Sequence, residues 1–409
     1  MNHDGQRSEV VLALSRPRLR HHFEAFAGLL PFRMVHLYDW DPKAIETHKP
    51  VVLLTLTDAW FEADRCIRRA RELGIPSLLV MDGIVEWRHQ WEDPAMGPLN
   101  GVGYYQPVTT DKIACIGRQT VRLLESWGNI GKCELVGCPR LDPFLIDPMP
   151  EPKAGGPRRL LVMTASTPAF TSEQSVKVER SLQDLKAALL GDRTWEVLWR
   201  VKRDLKETLG LPDSSRSLDG APLRDALSWS HAVITTPSTV QLEAMLARRP
   251  TALLDYSNTP HYVSAAWTIT ARNHIEQVLL DLLDPPHHRM LHQDFVLHDC
   301  LECYTPAAPR MATLICEMTR LRLDAQREGS PMAFPARILA HESFPFTEPS
   351  AFADLARLYP ANKTLSSADL VKLQRRVVFQ RQQIAALKSA AGLARLVRWA
   401  KSRVAPHKE

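Results

Sequence analysis

Short apolar runs rich in β-branched residues alternate with helix-like stretches through the first third of the chain. Such runs are typical of strands that are buried on both faces of a sheet. They cover residues 9–14, 51–56, 77–81, 112–116 and 133–137. Apolar positions recur every three or four residues over 18–30, 60–73 and 118–127, which predicts helices. Because strands that alternate with helices pair through crossover connections, this region predicts a parallel sheet.

A proline- and glycine-rich segment interrupts this alternation. Residues 147–157 hold four prolines and two glycines, which support neither a helix nor an inner strand, so we predict a linker over 147–158. Beyond it, strands are predicted at 160–164, 196–201, 232–235 and 251–254, and helices at 173–190, 223–229, 240–247 and 274–283. The sequence therefore predicts an α/β protein with two doubly wound, Rossmann-like domains, 1–146 and 159–345, that face a cleft.

The last part of the chain, residues 346–409, predicts a helical tail. A capping box at 366–369 opens it, and the apolar spacing over 370–391 predicts a coiled-coil seam for a homo-oligomer or a partner helix. Residues 393–409 combine an apolar stripe with basic residues and Trp399, the pattern of a basic amphipathic helix at a membrane interface. Packing of this helix against protein is the alternative.

The positive charge of the chain is concentrated in this tail. The net charge is +5, but residues 371–409 hold ten Lys or Arg against one acidic residue. The rest of the chain holds 41 basic and 45 acidic residues. A mildly acidic body argues against nucleic-acid binding, and the basic tail favours an anionic membrane surface.

The cysteines and the N-terminus indicate the compartment. Seven cysteines, an odd number without repeated spacing, argue against a secreted disulfide framework. Residues 1–9 contain no apolar signal-peptide core, and no apolar stretch is long enough to cross a bilayer. We therefore expect a cytoplasmic protein that is at most peripheral at the inner membrane.

One strand–turn–helix segment carries the strongest indication of a ligand. Small hydroxyl residues follow the strand at 232–235 and open the next helix, where free N–H groups and the helix dipole suit a phosphate. Thr236, Ser238 and Thr239 are candidate ligands of that phosphate, and Glu243, one turn further on, suits ribose hydroxyls. The alternative is an ordinary connection in which a Ser or Thr only caps the helix.

Further candidates lie at the carboxyl ends of strands predicted in the second domain. Ser166 and Thr167 follow the first of these strands and can donate to a phosphate. Arg200 and Lys202, two residues apart on a strand, would point to the same side and neutralise a leaving phosphate. A solvent-facing basic pair is the alternative. His261 follows a later strand and contacts a phosphate or carboxylate, or has a structural role.

Acidic and aromatic residues are concentrated in 81–94, directly after the strand predicted at 77–81. Glu86 is the first candidate for a general base, ahead of Asp82 and of Asp58, which follows the strand at 51–56. The candidates for binding an acceptor, the molecule whose hydroxyl such a base would deprotonate, are Trp87, Arg88, His89 and Trp91. The alternative is a surface loop that Arg88 stabilises.

Neither a metal nor a cofactor is expected. No Asp-x-Asp motif follows any predicted strand, so cations and helix dipoles would stabilise a leaving phosphate instead. The histidines and cysteines of 287–303 match no standard zinc spacing.

Four segments, taken in order, resemble the GT-B glycosyltransferase clan, which includes UDP-GlcNAc 2-epimerase, lipid-A-disaccharide synthase and CDP-glycerol glycerophosphotransferase. They are residues 112–142 with a Gly-x-Pro-x-x-Asp turn, 161–168, 199–202 and 231–256. The resemblance covers about residues 50–330. It implies a nucleotide-sugar donor in the second domain, an acceptor in the first, and Glu243 in the place of the clan's ribose-binding acid.

This resemblance and the basic tail predict a metal-independent glycosyltransferase that moves a sugar from a nucleotide-sugar donor to a bacterial surface-glycan or lipid-linked acceptor. A retaining reaction would not need the lone base assigned to Glu86. A nucleotide-sugar 2-epimerase or hydrolyase is the alternative, although residues 82–88 depart from the epimerase His-x-Glu-Ala-Gly-x-Arg segment. A second alternative is an inactive GT-B scaffold that binds a partner enzyme.

Overall fold

Two parallel sheets, each flanked by helices, make up the part of the chain that the computed structural model describes, residues 9–94, 104–152, 155–211 and 222–339. The tail predicted over 346–409, including the coiled-coil seam at 370–391 and the basic helix at 393–409, lies outside these residues. No helix within the described ranges is both long and apolar enough to cross a membrane.

The first sheet and its helices come from the N-terminal part of the chain. The strands are β1 (Val10–Leu14), β2 (Arg33–Leu37), β3 (Val52–Thr55), β4 (Ser77–Val80), β5 (Lys112–Cys115) and β6 (Cys133–Leu135). The helices are α1 (His21–Ala27), α2 (Pro42–His48), α3 (Phe61–Glu72), α4 (Trp87–Trp91), α5 (Arg118–Ser126) and α6 (Asp142–Ile146). All strand pairs are parallel, in the order β2-β1-β3-β4-β5-β6.

The second sheet follows the Pro/Gly-rich segment. Its strands are β7 (Arg158–Met163), β8 (Trp195–Arg200), β9 (Ala232–Thr235), β10 (Thr251–Leu254) and β11 (Trp267–Ile269), paired in parallel in the order β11-β10-β9-β7-β8. The helices are α7 (Ser172–Leu189), α8 (Arg203–Thr208), α9 (Leu223–Trp229), α10 (Val240–Leu246), α11 (Ile275–Leu283), α12 (His287–Cys300) and α13 (Ala307–Glu328). Two doubly wound units confirm the predicted fold class.

The predicted strands recur within about two residues of their observed ends, but β2 and β11 were not predicted. β2 lies at the edge of its sheet, and its sequence, Arg-Met-Val-His-Leu, is mostly only part-buried. An edge strand needs no continuous apolar run because solvent reaches one side of it. β11 has only three residues, too few for a recognisable period.

Helix α13 packs against the first sheet, although the predicted boundary at 345 assigned its residues to the second domain. Met311, Leu314, Ile315 and Met318 are fully buried in one cluster with β1 and β3 residues such as Val52. The apolar face of a helix shows that it is buried, but it does not show which sheet covers it.

A buried ion pair fastens the residues that follow α13 to the same sheet. Lys112 Nζ on β5 lies 2.7 Å from Glu134 Oε1 on β6, and each side chain is only 1% exposed. Lys112 also donates to the carbonyl of Pro335 (2.7 Å). Glu134 accepts hydrogen bonds from the backbone N–H groups of Ile338 (2.8 Å) and Leu339 (3.1 Å). The backbone of the segment after α13 thereby satisfies both buried charges.

Candidate functional site

The loop after β4 enters the gap between the two sheets and contacts the turn before α10. The backbone N–H of Ile84 donates to Thr239 Oγ1 (3.1 Å). A Cβ atom added at the neighbouring Gly83 would lie 2.1 Å from the same Oγ1, so this close approach requires glycine. The carboxyl ends of β4 and β9, on different sheets, therefore meet at one site.

The acid predicted to bind ribose is paired with a cation of the first domain. Glu243 on α10 is 5% exposed, and its Oε1 lies 2.5 Å from Arg140 Nη1. Arg140 follows β6 in the Gly-x-Pro-x-x-Asp turn, and its Nε also donates to the carbonyl of Asp82 at 3.4 Å. This turn is part of the resemblance to the GT-B clan, but Arg140 was not among the predicted site residues.

Asp82, in the loop after β4, lies near the cationic group of Arg140 and near two histidines. Burial raises the pKa of its carboxyl group, and the positive charge of Arg140 opposes that rise. The side chain of His22 on α1 is near Arg140, and burial, with repulsion from His21 and Arg140, lowers the pKa of His22 to about 3. The two histidine rings are 4.1 Å apart. In the sequence, the two adjacent histidines after β1 are a signal for these site residues, but neither was among the predicted site residues.

Glu86, the first candidate base, has a pKa raised to about 7. Burial is the main cause, and the negative charges of Asp255 and Glu92 add to it, whereas Arg88 counteracts it. Arg88 Nε donates to Glu86 Oε1 at 2.6 Å. The Arg88 side chain is 1% exposed and its Nη1 donates to the carbonyl of Pro168 in the second domain (3.0 Å). The carboxyl of Glu86 thus lies at the contact between the domains.

His261 belongs to the second domain's side of this contact. Its Nε2 lies 3.3 Å from Asp255 Oδ2, a carboxylate that also accepts from the N–H (3.1 Å) and hydroxyl (2.9 Å) of Thr259. Burial lowers the pKa of His261, the carboxylate of Asp255 opposes this, and Arg88 lowers it further. A neutral imidazole with one nitrogen near a carboxylate results.

The predicted acceptor-binding aromatics form a cluster with second-domain residues. The ring of Tyr262 lies 5.6 Å from that of Trp87 and 5.8 Å from that of Trp127, and its hydroxyl accepts from Trp91 Nε1 (2.9 Å). Trp91 remains 44% exposed. His89 packs separately, 5.3 Å from the ring of Phe170, and burial lowers its pKa. Aromatic rings with an open face suit the apolar faces of sugars.

Two predicted residues have structural contacts of their own. Thr236 is fully buried, and its hydroxyl accepts from the backbone N–H of Ala165 (2.8 Å), which ties the turn after β9 to the loop after β7. Asp58 Oδ2 accepts from the N–H of Thr109 at 2.7 Å, and burial raises the pKa of this aspartate. Each of these side chains therefore accepts a hydrogen bond from a backbone N–H group.

The phosphate candidates differ in environment. Ser166 and Thr167 are exposed, whereas the hydroxyl of Ser238 is shielded from solvent and has no hydrogen-bond partner among the protein atoms. β8 ends at Arg200, and Lys202 is the N-cap of α8, with its Nζ 3.0 Å from Asp204. The prediction that Arg200 and Lys202 share one strand face was therefore wrong, because the strand ends before Lys202.

The expectation that no Asp-x-Asp motif follows a strand also needs correction. Asp39 and Asp41 form such a motif after β2, a strand that was not predicted. Asp41 Oδ1 accepts from the N–H of Lys43 (3.0 Å) and caps α2. Within the described part of the chain, no group of three or more His, Cys, Asp or Glu residues is arranged to hold a metal ion.

Comparisons with known proteins connect this architecture to solved structures. No protein-family model matches the chain, and no curated protein matches it. The wall teichoic acid polymerase TagF, as its H548A variant, is 10% identical over 78% of this chain and 90% of its own, with a TM-score of 0.55. S. aureus MnaA bound to UDP is 12% identical over 75% of this chain and 95% of its own, with a TM-score of 0.52.

A third similar structure is a UDP-N-acetylglucosamine 2-epimerase from Listeria monocytogenes, described by its authors with the word putative. It is 12% identical over 80% of this chain and 98% of its own, with a TM-score of 0.51. At such identities the likeness concerns the fold. The chain therefore has the GT-B-like fold of two Rossmann-like domains that these polymerase and epimerase structures share.

Proposed function

We propose that this protein is a metal-independent glycosyltransferase that uses a nucleotide-sugar donor and a bacterial surface-glycan or lipid-linked acceptor. The observation that carries the proposal is Glu86, a carboxyl group with a pKa raised to about 7 where the two domains touch. A general base works best when its pKa lies near the working pH, since it is then both ionised and basic enough.

In the proposed reaction Glu86 takes the proton of an acceptor hydroxyl. The hydroxyl oxygen forms a bond to the anomeric carbon of the donor, and the bond from that carbon to the nucleotide phosphate breaks. The electron pair of the broken bond leaves with the phosphate. Cationic groups stabilise this charge. Arg140 of the first domain, a part-buried guanidinium paired with the proposed donor residue Glu243, is one of them.

The donor is proposed to bind the second domain at Ser166, Thr167, Ser238, Thr239 and Glu243. Among the similar structures, one is described as TagF with CDPG and another as MnaA with UDP, which supports a nucleotide-containing donor. In the structure the backbone N–H of Ile84 donates to the hydroxyl of Thr239, and Arg140 donates to the carboxylate of Glu243. Donor entry is therefore proposed to replace these two contacts.

Acceptor binding is proposed at the aromatic cluster of Trp87, Trp91 and Tyr262, with Arg88 and His89 beside it. The 44% exposed ring of Trp91 offers a surface on which a sugar can stack. The proposal also includes a peripheral location at the cytoplasmic face of the inner membrane, through the basic residues 393–409. Self-association or a partner helix is proposed for 370–391.

Titration calorimetry against UDP-, CDP-, GDP- and CMP-sugars tests the donor. We expect saturable binding of one nucleotide class, and then consumption of that donor only when a glycan acceptor is added. An absence of binding to all four classes would contradict the proposal and favour the inactive scaffold.

A nucleotide-sugar 2-epimerase is the second candidate, because two of the similar structures are described as UDP-N-acetylglucosamine 2-epimerases. This reaction needs no acceptor. Incubation with donor alone, followed by separation of the sugar products, distinguishes the two: new epimer or free sugar supports the second candidate, and unchanged donor supports transfer.

A further inference from the structure

A carboxylate, an imidazole and a thiol lie one after another along the end of α12 and the connection that follows it. Cys303 Sγ is 3.5 Å from His298 Nδ1. The other ring nitrogen of His298, Nε2, is 3.6 Å from Asp294 Oδ1, one helical turn earlier. Neither the proposed donor site nor the proposed base uses these three residues.

The imidazole is held in its protonated form by this arrangement. Burial alone would lower the pKa of His298, but hydrogen bonds with Asp294 and Cys303 outweigh that effect and raise it to about 10. Both ring nitrogens then carry protons, one for the carboxylate and one for sulfur. An imidazole nitrogen within hydrogen-bond distance of a cysteine sulfur can hold the proton that the sulfur gives up when it reacts as a nucleophile.

Charged groups on neighbouring elements are mostly paired with one another. On α5, the Arg118 guanidinium lies 3.5 Å from the Glu302 carboxylate, and Arg122 lies 2.6 Å from Asp299. The ring of Tyr304 stacks on the imidazole of His298 at 4.6 Å, with an angle of 20° between the planes. Tyr304 covers the imidazole while leaving the site close to the surface, since it is itself 37% exposed.

The remaining cysteines provide an internal reference. All seven are free, and six of them, including Cys303, are buried, whereas Cys316 on α13 is part-exposed. Burial and the negative charge of Glu317 raise the pKa of Cys316. Exposure alone therefore predicts that Cys316 reacts first with an oxidant, and the imidazolium contact predicts that Cys303 does.

We propose that Cys303 is a site of reversible oxidation by small hydroperoxides, with His298 as its proton donor and Asp294 as the group that orients His298. The thiolate sulfur attacks one peroxide oxygen, an S–O bond forms and the O–O bond breaks. The departing hydroxide takes the Nδ1 proton of His298 and leaves as water. Sulfur loses two electrons to the peroxide and becomes a sulfenic acid beside a neutral imidazole. The side chain of Cys303, 7% exposed, favours a small oxidant over a bulky one.

Cys303 lies near a place where two segments of the chain pack closely, so oxidation there is expected to disturb this packing. The residue lies in the connection between α12 and α13, through which the chain returns to the first sheet. There the N–H of Glu302 donates to the carbonyl of Ile116 (2.7 Å). A Cβ atom at Gly117 would lie 2.2 Å from the carbonyl atoms of Cys300, so this crossing has little room for an added atom.

Competitive labelling of the full chain tests the proposal. The protein is exposed to equimolar hydrogen peroxide at pH 7 in the presence of dimedone, which captures sulfenic acids, and the labelled peptides are measured over time by mass spectrometry. We expect labelling of Cys303 to be faster than that of Cys316 by about tenfold or more, because His298 can take and return the proton of the reacting sulfur. Equal or faster labelling of Cys316 would overturn the proposal.

Two variants assign the role of the imidazole. His298→Asn is expected to bring the rate at Cys303 close to that of Cys316. His292→Asn, which changes an exposed histidine of the same helix, is expected to leave it unchanged. A rate at Cys303 that does not respond to His298→Asn would contradict the assignment of His298. If that variant does not fold, the ratio between the two cysteines in the unmodified chain decides by itself. This test is independent of donor binding and of transfer.

Discussion

Arg140, in the turn after β6, and Glu243, on α10, form an ion pair across 103 residues of sequence and join the two domains. Glu243 is also the residue proposed to bind the donor ribose. Under this proposal one carboxylate would have two competing partners, the guanidinium of the first domain and the donor bound to the second. Donor binding and separation of the domains are expected to be coupled through this residue.

Substitution of Glu243 by alanine is expected to weaken donor binding. Loss of a hydrogen bond to a charged group usually costs about 1.5–3 kcal/mol, which is roughly a 10- to 150-fold rise in Kd. Titration calorimetry with the preferred nucleotide sugar measures this change. Glu173→Ala, which removes a mostly exposed acid on α7, is the control and should leave Kd unchanged. An unaltered Kd in Glu243→Ala would remove this residue from the donor site.

Glu86→Gln is expected to lower kcat by about 10²- to 10⁴-fold while donor affinity stays the same, because only proton transfer is lost. In the unmodified enzyme the base must be ionised. Since burial raises the pKa of Glu86 to about 7, kcat/KM should fall as the pH drops below 7. A pH–rate profile from pH 5 to 9 checks this, and activity that persists at full level at pH 5 would exclude Glu86 as the base.

Gly83→Ala is expected to destabilise the protein by about 1–3 kcal/mol, because the new methyl group would overlap Thr239. Gly28→Ala is a matched control: a Cβ there meets nothing within 4 Å, and its φ of −64° suits alanine. Urea unfolding of both variants measures the difference. Combining Gly83→Ala with Thr239→Ala should recover part of the loss, and strict additivity would show that Thr239 is not the obstacle.

Lys112→Met is expected to reduce the free energy of unfolding by about 3–5 kcal/mol, because it leaves the buried Glu134 carboxylate without its cation. Lys177→Met removes an exposed cation that pairs with Glu173, and exposed ion pairs add little to stability because water and salt screen them. Urea unfolding of the two variants tests the contrast. Equal effects would mean that the buried pair does not hold the residues after α13.

Removal of residues 393–409 is expected to release the protein from vesicles that contain anionic lipid. The basic residues of this segment would supply the charge attraction, and its apolar stripe the contact with the membrane. Sedimentation with such vesicles measures binding, and neutral vesicles are the control. Turnover of a water-soluble donor should stay the same in the shortened protein. Loss of that turnover would indicate a structural role for the segment instead.

Local sequence patterns predict the alternation of strands and helices, the Pro/Gly-rich connection after residue 146, and the acidic and aromatic loop that follows β4. These features depend on local rules: a buried strand needs a run of apolar residues, and prolines and glycines stop regular structure. The same rules failed for β2, where an edge position relaxes the need for apolar residues.

Which groups meet depends on three-dimensional packing, which no local pattern reveals. Arg140 pairs with Glu243, and Gly83 packs against Thr239. Thr236 and Asp58 accept hydrogen bonds from backbone N–H groups. Helix α13 packs on the first sheet. Each of these contacts joins residues that are tens to hundreds of positions apart. A local pattern indicates that a side chain is buried or charged, but its partner depends on how the sheets and helices pack in three dimensions.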